Sequence, residues 1–287
     1  MPLLHIAILA LVQGITEFLP VSSSGHLLLT HAVLEGGKVD GAWQEDLILD
    51  LAVHVGSLLA VLLYFRKDVL KMLAGVPKLL TGNISDSGAR FDLYLIVASI
   101  PALAAGFLLH KTQPDFLRSV EIVAWCTLLY GILLWVVDSR APVRKTIQDM
   151  NFKDAILIGC AQALALIPGT SRSGITMTAG RALGLNRPEA AHFSFLLSII
   201  ATSAAGAIGA LDLLNKGSME MTLDAVVAVS FSFVASLTTI AFLMKSLRTW
   251  TFTPFAIYRI ALGLLLIGLI YSGTLDDAMA SINFVSP

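Results

Sequence analysis

The feature of this sequence that most constrains its fold is a series of apolar runs about as long as a bilayer is thick. A helix needs about 20 mainly apolar residues to cross a hydrocarbon core of roughly 30 Å. Charged residues make up 14% of the chain, against about 25% in soluble domains, and the mean hydropathy is +0.81. The sequence therefore predicts a polytopic membrane protein. Full spans are predicted at 45–65, 91–110, 119–137, 188–212, 223–245 and 254–272.

Two further apolar segments, 3–34 and 152–184, are interrupted near their middles by proline, glycine and hydroxyl-bearing residues. Proline and glycine end or break helices, so each segment predicts two short helices in place of one span. The string LPVSSSG from Leu19 resembles the string IPGTSRSG from Ile167. Chance agreement is the alternative for so short a match. The resemblance indicates an internal repeat.

The predicted fold class is an all-α polytopic membrane protein with six transmembrane helices and two re-entrant helix-loop-helix hairpins. The chain is read as a single integral membrane domain, with a first repeat at 1–137 and a second at 152–272. A hairpin that returns to its starting side, followed by three spans, inverts the second repeat relative to the first. Irregular backbone at membrane depth is tolerated where protein buries it or where it lines a water-filled cavity. We therefore expect the two breaks to meet near the midplane and to form a site.

Basic residues are distributed unevenly among the predicted loops. If the loop 66–90 is cytoplasmic, 13 lysines and arginines face inward and 4 face outward, which the positive-inside rule favours. Both chain ends then lie on the outer, periplasmic side. Ordinary solvated loop charges are compatible with the same topology. No long basic run is present, so no nucleic-acid partner is expected, and a removable signal peptide is not expected either.

The first break carries a candidate metal site. Gln13 and Glu17 are four residues apart and share a helical face, and Pro20 limits how far that helix runs. A carboxylate near a helix C-terminus is costly unless a cation lies nearby, so Glu17 is a candidate metal ligand. Gln13 would add a neutral oxygen. The alternatives are a protonated Glu17 or one paired only with Arg172.

A run of hydroxyl-bearing residues follows Pro20. One capping serine would satisfy a helix start, whereas three in a row with a glycine predict a cradle for phosphate oxygens. His26 lies three residues beyond Ser23, within reach for acid-base chemistry on a hydroxyl or phosphoryl oxygen. A structural histidine is the alternative. The candidate cradle consists of Ser22, Ser23, Ser24 and Gly25.

The second break contains Arg172, a guanidinium that is costly near the midplane without an anionic partner. Its planar fork suits phosphate, so the combined residues predict phosphoryl transfer on a lipid with a charged headgroup. A transporter or flippase of a polyprenyl phosphate lipid is the alternative from another class. Asp50 and His54, four residues apart in the first span, either face the site or pair with each other. Candidate phosphate-binding hydroxyls are Ser171, Ser173 and Thr176.

At these residues the chain resembles a known family. The strings QGITEFLPVSSSGH (Gln13 to His26) and PGTSRSGIT (Pro168 to Thr176) are similar to the two signature motifs of the bacterial undecaprenyl-diphosphate phosphatase family, also called the bacitracin-resistance family. The resemblance covers essentially the whole chain and includes TPFAIYR at 253–259. It implies hydrolysis of undecaprenyl diphosphate in the bacterial inner membrane, recycling of the envelope carrier lipid, and bacitracin resistance.

The resemblance also implies roles for single residues. Glu17, Ser23, His26 and Arg172 match catalytic positions, and a divalent cation, Mg²⁺ or Ca²⁺, is implied at Glu17 and Gln13. The family motif opens with Glu or Gln, and Gln13 removes one anionic ligand. Our hypothesis has Ser23 attack the terminal phosphorus with help from His26, and attack by His26 or by water remains open. A homo-oligomer is compatible with the sequence, which does not determine the oligomeric state.

Overall fold

The computed structural model describes residues 3–34, 47–112, 119–215 and 223–272. The regular secondary structure within these ranges is α-helix, together with one isolated bridge between Lys145 and Leu185 and a 3₁₀ turn at Ile147–Asp149. The helices are α1 (Leu3–Thr16), α2 (Ser23–Leu34), α3 (Leu47–Tyr64), α4 (Arg66–Leu80), α5 (Ser87–Thr112), α6 (Val120–Arg140), α7 (Phe152–Leu164), α8 (Arg172–Ala182), α9 (Arg187–Asn215), α10 (Leu223–Ser246) and α11 (Thr253–Tyr271).

The predicted spans correspond to helices. In the described ranges, 5 helices are long and apolar enough to cross a membrane, and they coincide with five of the predicted spans. The sixth prediction, 45–65, corresponds to α3, in which Leu51–Tyr64 forms a shorter apolar helix. The class of polytopic membrane protein is confirmed. The five are Ser87–Leu109, Val120–Arg140, Arg187–Ala207, Leu223–Ser246 and Thr253–Tyr271.

The two interrupted segments are broken where proline, glycine and serine predict. Residues 17–22 separate α1 from α2, and residues 165–171 separate α7 from α8. The start of α7 shows why helices begin where they do. The Asn151 side chain accepts hydrogen bonds from the backbone N–H groups of Lys153 and Asp154, and this cap satisfies donors that the first turn leaves unpaired.

The segment 66–90, predicted to be a loop, instead holds α4 and the first turn of α5. A search for apolar runs of bilayer length does not find α4. The helix is short, and basic residues interrupt its apolar sequence. Val69, Met72 and Leu79 are partly buried on the side of α4 that faces the protein. Amphipathic spacing of this kind, not high hydropathy, is the signal for such a helix.

The two halves of the chain interlock through their short first helices. The helix α1 packs against α10 of the second half, and α7 packs against α5 of the first half. Glycine permits both close approaches, since a Cβ on Gly14 would lie 2.7 Å from the Ser232 carbonyl oxygen and one on Gly159 would lie 2.7 Å from the Ala98 carbonyl oxygen. This packing is what a two-fold relation between repeats would produce. The inverted orientation of the repeats in the membrane stays a prediction.

A buried carboxylate fixes the far end of α8. The Asp138 Oδ1 atom on α6 accepts from the Arg181 Nε atom at 3.1 Å and from the Arg187 Nε atom at 2.8 Å. Its Oδ2 atom accepts from the Phe252 backbone N–H at 2.8 Å, just before α11 begins. Charge-assisted bonds are the stronger class of hydrogen bond. Asp138 therefore ties α6, α8, α9 and α11 together and holds α8 in place.

Candidate active site

Both breaks end in the same unusual backbone conformation. Ser22 has φ of 80° and Ser171 has φ of 72°, values that residues other than glycine rarely adopt. In each case the next residue, Ser23 or Arg172, begins a helix. Strained backbone of this kind persists where the surrounding structure holds it, and it concentrates at functional sites. The two breaks therefore present two helix N-termini from equivalent turns.

Glu17 lies at the centre of the cluster that joins the breaks. Its Oε1 atom accepts from the Arg172 Nη2 atom at 2.7 Å, across 155 positions of sequence. Its Oε2 atom accepts from the Gln13 Nε2 atom at 3.0 Å and from the Ser23 hydroxyl at 2.9 Å. The Glu17 and Arg172 side chains are 11% and 16% exposed. Four of the predicted site residues, Gln13, Glu17, Ser23 and Arg172, thus form one partly buried, hydrogen-bonded group, and Glu17 is not paired with Arg172 alone.

Two buried polar atoms of this cluster have no hydrogen-bond partner among the described residues. They are the Arg172 Nη1 atom, a donor, and the Gln13 Oε1 atom, an acceptor. Leaving a buried polar atom unpaired costs about 1–3 kcal/mol, more when it is charged. Four other such atoms lie elsewhere in the described chain, on Asp92, Gln162 and Thr170, but only this pair adjoins Glu17. The pair indicates a ligand that offers both an anionic oxygen and a positive charge.

The donor set can be tested against the implied divalent cation. Glu17 and the Gln13 amide supply oxygen atoms, which Mg²⁺ and Ca²⁺ prefer. Within the described part of the chain, no group of three or more His, Cys, Asp or Glu residues is placed to hold a metal. These residues therefore fit a cation of the Mg²⁺ kind, which takes few protein ligands and completes its shell with phosphate oxygens and water.

His54 joins this cluster from α3. Its Nε2 atom lies 3.3 Å from the Gln13 Nε2 atom. The Gln13 amide nitrogen only donates, so in this contact the His54 Nε2 atom is the acceptor. Sequence reasoning left open whether His54 faced the site, and the structure places it there. The side chain of Asp50, its proposed partner, lies outside the described residues.

The hydrogen bonds found for His26 go to groups other than Ser23, and its assistance to Ser23 stays a prediction. Its Nδ1 atom lies 2.7 Å from the Ser22 carbonyl oxygen, and its Nε2 atom lies 2.6 Å from the Tyr258 hydroxyl. A carbonyl oxygen only accepts, so Nδ1 donates to it, and the Tyr258 hydroxyl is bonded to the other ring nitrogen. The turn at Ser22 directs its carbonyl to the residue four positions ahead. The acceptor that Ser23 finds is Glu17, not His26.

The hydroxyls of the second break are already engaged. The Ser171 Oγ atom caps α8 by accepting from the Gly174 N–H at 3.1 Å, which is the capping role. The Ser173 hydroxyl donates to the Leu19 carbonyl oxygen at 2.9 Å and so joins the two breaks. The Thr176 hydroxyl donates to the Arg172 carbonyl oxygen at 2.8 Å and lies 2.7 Å from the Ser194 hydroxyl. Phosphate binding by these three residues stays a prediction.

The remaining predicted residues lie at the start of α2. Gly25 is buried, and a Cβ there would lie 3.2 Å from the Val123 Cγ1 atom on α6. The side chain of Ser24 lies outside the described residues. Ser22 contributes its carbonyl oxygen to His26. These residues shape the turn, and their phosphate-binding roles stay predictions.

Arg259 on α11 supports both breaks, and sequence reasoning assigned it no role. It is fully buried, and its Nη2 atom donates to the Gly169 carbonyl oxygen at 2.7 Å. Its Nη1 atom donates to the Pro20 carbonyl oxygen at 3.4 Å, and its Nε atom donates to the Thr127 carbonyl oxygen at 3.2 Å. None of the described carboxylates forms an ion pair with it. An arginine inside an otherwise apolar span was the available signal.

The fold and the site define an integral membrane protein whose charged cluster is enclosed where two interrupted helices meet. Comparison with known proteins then gives the family, and it agrees with the resemblance seen in the motifs. The chain belongs to the bacitracin resistance protein BacA family, whose family model matches residues 6–265.

Curated relatives match nearly the full length of the chain. The chain is similar to the undecaprenyl-diphosphatase of Ruegeria pomeroyi, with 46% identity over 273 residues, 95% of this chain and 100% of that protein. It is similar to the undecaprenyl-diphosphatase of Hahella chejuensis, with 45% identity over 261 residues, 91% of this chain and 95% of that protein. The undecaprenyl-diphosphatase of Dinoroseobacter shibae is 42% identical over 273 residues, 95% of this chain and 100% of that protein.

Proposed function

We propose that this chain is an undecaprenyl-diphosphatase that hydrolyses undecaprenyl diphosphate to undecaprenyl phosphate and inorganic phosphate. Relatives that match at full length carry this name, and the family name accords with bacitracin resistance. The reaction returns a carrier lipid to envelope polymer synthesis. One observation carries the proposal: Glu17 pairs with the Arg172 Nη2 atom, which leaves the Nη1 atom without a partner in the described structure.

The charges around the breaks favour a diphosphate. The Arg172 Nη1 atom has no acceptor among the described residues, and a guanidinium suits two phosphate oxygens. The N-termini of α2 and α8 begin at Ser23 and Arg172, and a helix N-terminus attracts anions. Arg259 adds a buried positive charge behind both turns. A lipid tail explains why this anion site is enclosed by membrane helices.

The geometry supports a two-step displacement at Ser23. In the first step the Ser23 Oγ atom attacks the terminal phosphorus while Glu17, which already accepts its hydroxyl proton at 2.9 Å, takes that proton. The bond from phosphorus to the bridging oxygen breaks, and undecaprenyl phosphate leaves with the electron pair. Glu17 then gives this proton to the departing undecaprenyl phosphate and is again a carboxylate. In the second step water attacks the phosphoserine and gives a proton to Glu17, the bond from phosphorus to the Ser23 Oγ atom breaks, and Glu17 returns the proton to that oxygen as inorganic phosphate leaves. Arg172 stabilises the charge on the transferring group in both steps.

His26 is assigned a different task from the one its sequence position suggests. It bonds to the Ser22 carbonyl oxygen and the Tyr258 hydroxyl, and these bonds hold the ring at the first turn of α2. Glu17 therefore replaces His26 as the base for Ser23. Acid quench during turnover should trap an acid-stable phosphoserine. An acid-labile adduct would assign the attack to His26, because phosphohistidine breaks down in acid.

A divalent cation, Mg²⁺ or Ca²⁺, would be held by the Glu17 carboxylate and the Gln13 Oε1 atom, which has no partner in the described structure. When bound it would neutralise phosphate charge. The residues of the chain hold the remaining roles: Arg172 orients the phosphate, Ser23 attacks and Glu17 moves the proton. Chelation should therefore lower turnover.

The test of the proposed function is phosphate release from a C55 lipid diphosphate by the purified chain, with and without a chelator. We expect release that depends on added divalent cation and that disappears in Glu17→Gln. Binding of the lipid without phosphate release would favour the transporter or flippase. Full activity in chelator would remove the cation from the proposal and leave the hydrolase intact.

We also propose that residues 66–90 face the cytoplasm and that both chain ends face outward, because basic residues concentrate on one side. An Asn83→Cys variant without Cys126 and Cys160 tests this orientation. An impermeant thiol reagent should label it after permeabilisation of the cells and not before. Labelling of intact cells would reverse the topology.

A further inference from the structure

The helix α4, Arg66–Leu80, lies outside the spans. Its 15 residues would be about 22 Å long, shorter than a hydrocarbon core, and five of them are charged. A single residue, Phe65, separates α4 from the end of α3, and residues 81–86 connect α4 to α5. Since α3 and α5 both belong to predicted spans, both ends of α4 lie at the same boundary of the membrane.

One side of α4 faces the protein. Successive residues of a helix are about 100° apart, so Asp68, Met72, Gly75 and Leu79 share a face. Met72 packs against the main hydrophobic core, and Gly75 is buried. A Cβ on Gly75 would collide with the Asp92 side chain of α5, so this face fits tightly against α5.

A second side of α4 is apolar and exposed. Leu70, Leu73 and Leu80 are 64%, 63% and 82% exposed, and together with Pro77 they form a stripe at helical spacing. A stripe of exposed leucines at the end of a membrane span is unfavourable in water. It is favourable in the acyl-chain boundary of a bilayer.

A third side of α4 is basic. Lys67, Lys71 and Lys78 are exposed and form their own stripe, about a third of a turn around the helix from the leucine stripe. Lys71 bonds to Asp68 at 3.5 Å and Lys78 bonds to Asp86 at 2.7 Å, yet both lysines stay more than half exposed. With Arg66, the helix carries four basic residues against the one acidic residue Asp68.

We propose that α4 is an interfacial helix that inserts its leucine stripe into the bilayer surface and binds the headgroups of anionic phospholipids through its lysine stripe. An apolar stripe beside a basic one is the arrangement of helices that lie in the headgroup plane. Anionic headgroups complement the excess positive charge. The bound lipid would fix the depth of α3, which carries His54 to the site, and of α5, which packs against α7.

Insertion is tested by a probe on each side of α4 in the full chain. In a Cys126→Ala, Cys160→Ala background, an environment-sensitive thiol fluorophore is attached at Leu73→Cys or at the neighbouring Ala74→Cys, in phosphatidylcholine nanodiscs. We expect a blue-shifted emission and quenching by lipid-attached nitroxide at position 73. Position 74, on the basic side, should report water. Equal, water-like emission at both positions would overturn insertion.

Headgroup binding is tested by charge removal. Added phosphatidylglycerol should raise the melting temperature of the wild-type chain above its value with phosphatidylcholine, and Lys67→Gln, Lys71→Gln, Lys78→Gln should abolish that difference. A matched control removes three exposed basic residues from the segment between the end of α6 and the start of α7, as Arg140→Gln, Arg144→Gln, Lys153→Gln, and should keep the difference. The proposal would be overturned if phosphatidylglycerol raised the melting temperature of the triple-lysine variant as much as that of the wild type. It would also be overturned if undecaprenyl phosphate, but not phosphatidylglycerol, raised the melting temperature of the wild type.

Discussion

The two breaks of this protein share one backbone plan and carry different chemistry. Aligned without a gap on the two serines with positive φ, they share a glutamine at the start, a serine at the turn, and a serine and a glycine after it. The first break holds a carboxylate and a hydroxyl where the second holds a leucine and a guanidinium. The matched pairs are Gln13 with Gln162, Glu17 with Leu166, Ser22 with Ser171, Ser23 with Arg172 and Gly25 with Gly174.

The fates of the two glutamines show how the repeats diverged. Gln13 bonds to Glu17 and adjoins His54, whereas the Gln162 Nε2 atom donates to the Ala98 carbonyl oxygen at 3.1 Å and serves packing. Both glutamines lie at the equivalent position of a short helix. Gln13 belongs to the site because Glu17 follows it by four residues, whereas Leu166 follows Gln162. Neither break is complete by itself. Variants of each break test this division of roles between the first break and the second.

The largest effect should come from the carboxylate of the first break. Glu17→Gln keeps the size of the side chain but removes the base for Ser23 and the counter-charge for Arg172, so phosphate release should fall below detection. Breaking a buried ion pair costs about 3–5 kcal/mol, so a thermal melt must show that the variant is folded. The control is Glu121→Gln, an exposed carboxylate on α6. Near-normal turnover at any cation concentration would remove Glu17 from the mechanism.

The second break should be nearly as sensitive at Arg172. Arg172→Lys keeps the charge but loses the planar fork that reaches Glu17 and phosphate together, so turnover should fall about 10³-fold. Substrate binding should suffer less than turnover. Steady-state kinetics beside Arg248→Lys, an exposed control, measure both. A turnover within about threefold of wild type would contradict a transition-state clamp.

A smaller loss is expected where the breaks are held together. Arg259→Lys keeps the positive charge, but a single ammonium cannot reach both the Pro20 and the Gly169 carbonyl oxygens. Misplacement of reacting groups by about 1 Å can cost 10²-fold, and we expect a loss of that order in kcat with little change in KM. Arg140→Lys on α6 is the exposed control. A rise in KM alone would show that Arg259 acts through its charge and not through positioning.

The smallest effect should come from a hydroxyl of the second break. Thr176→Val is nearly isosteric, and the lost hydroxyl is bonded to Arg172 and Ser194, so turnover should stay within about threefold of wild type. Thr178→Val, which loses a comparable bond to the Gly174 carbonyl oxygen, is the matched control. A loss of about 100-fold in Thr176→Val alone would support the predicted phosphate-binding role of Thr176.

Much of the fold was predictable because its signals are local. Bilayer-length apolar runs located five helices that can span the membrane, and proline, glycine and serine located both breaks. The helix α4 was missed because its apolar residues are interspersed with lysines. Amphipathic spacing of Val69, Met72 and Leu79, tested over 66–80, would have found it.

The sequence by itself determined the membrane class and the inventory of the site, because length, hydropathy and motif composition do not depend on distant residues. Only the tertiary structure decided which of these groups meet. His26 bonds to Tyr258, 232 positions away, and this contact left Glu17 as the acceptor for Ser23. Arg259 likewise joins the site through carbonyl oxygens, which every residue carries and no motif reveals. Side chains far apart in sequence become partners through helix packing, and a local sequence pattern does not determine that packing.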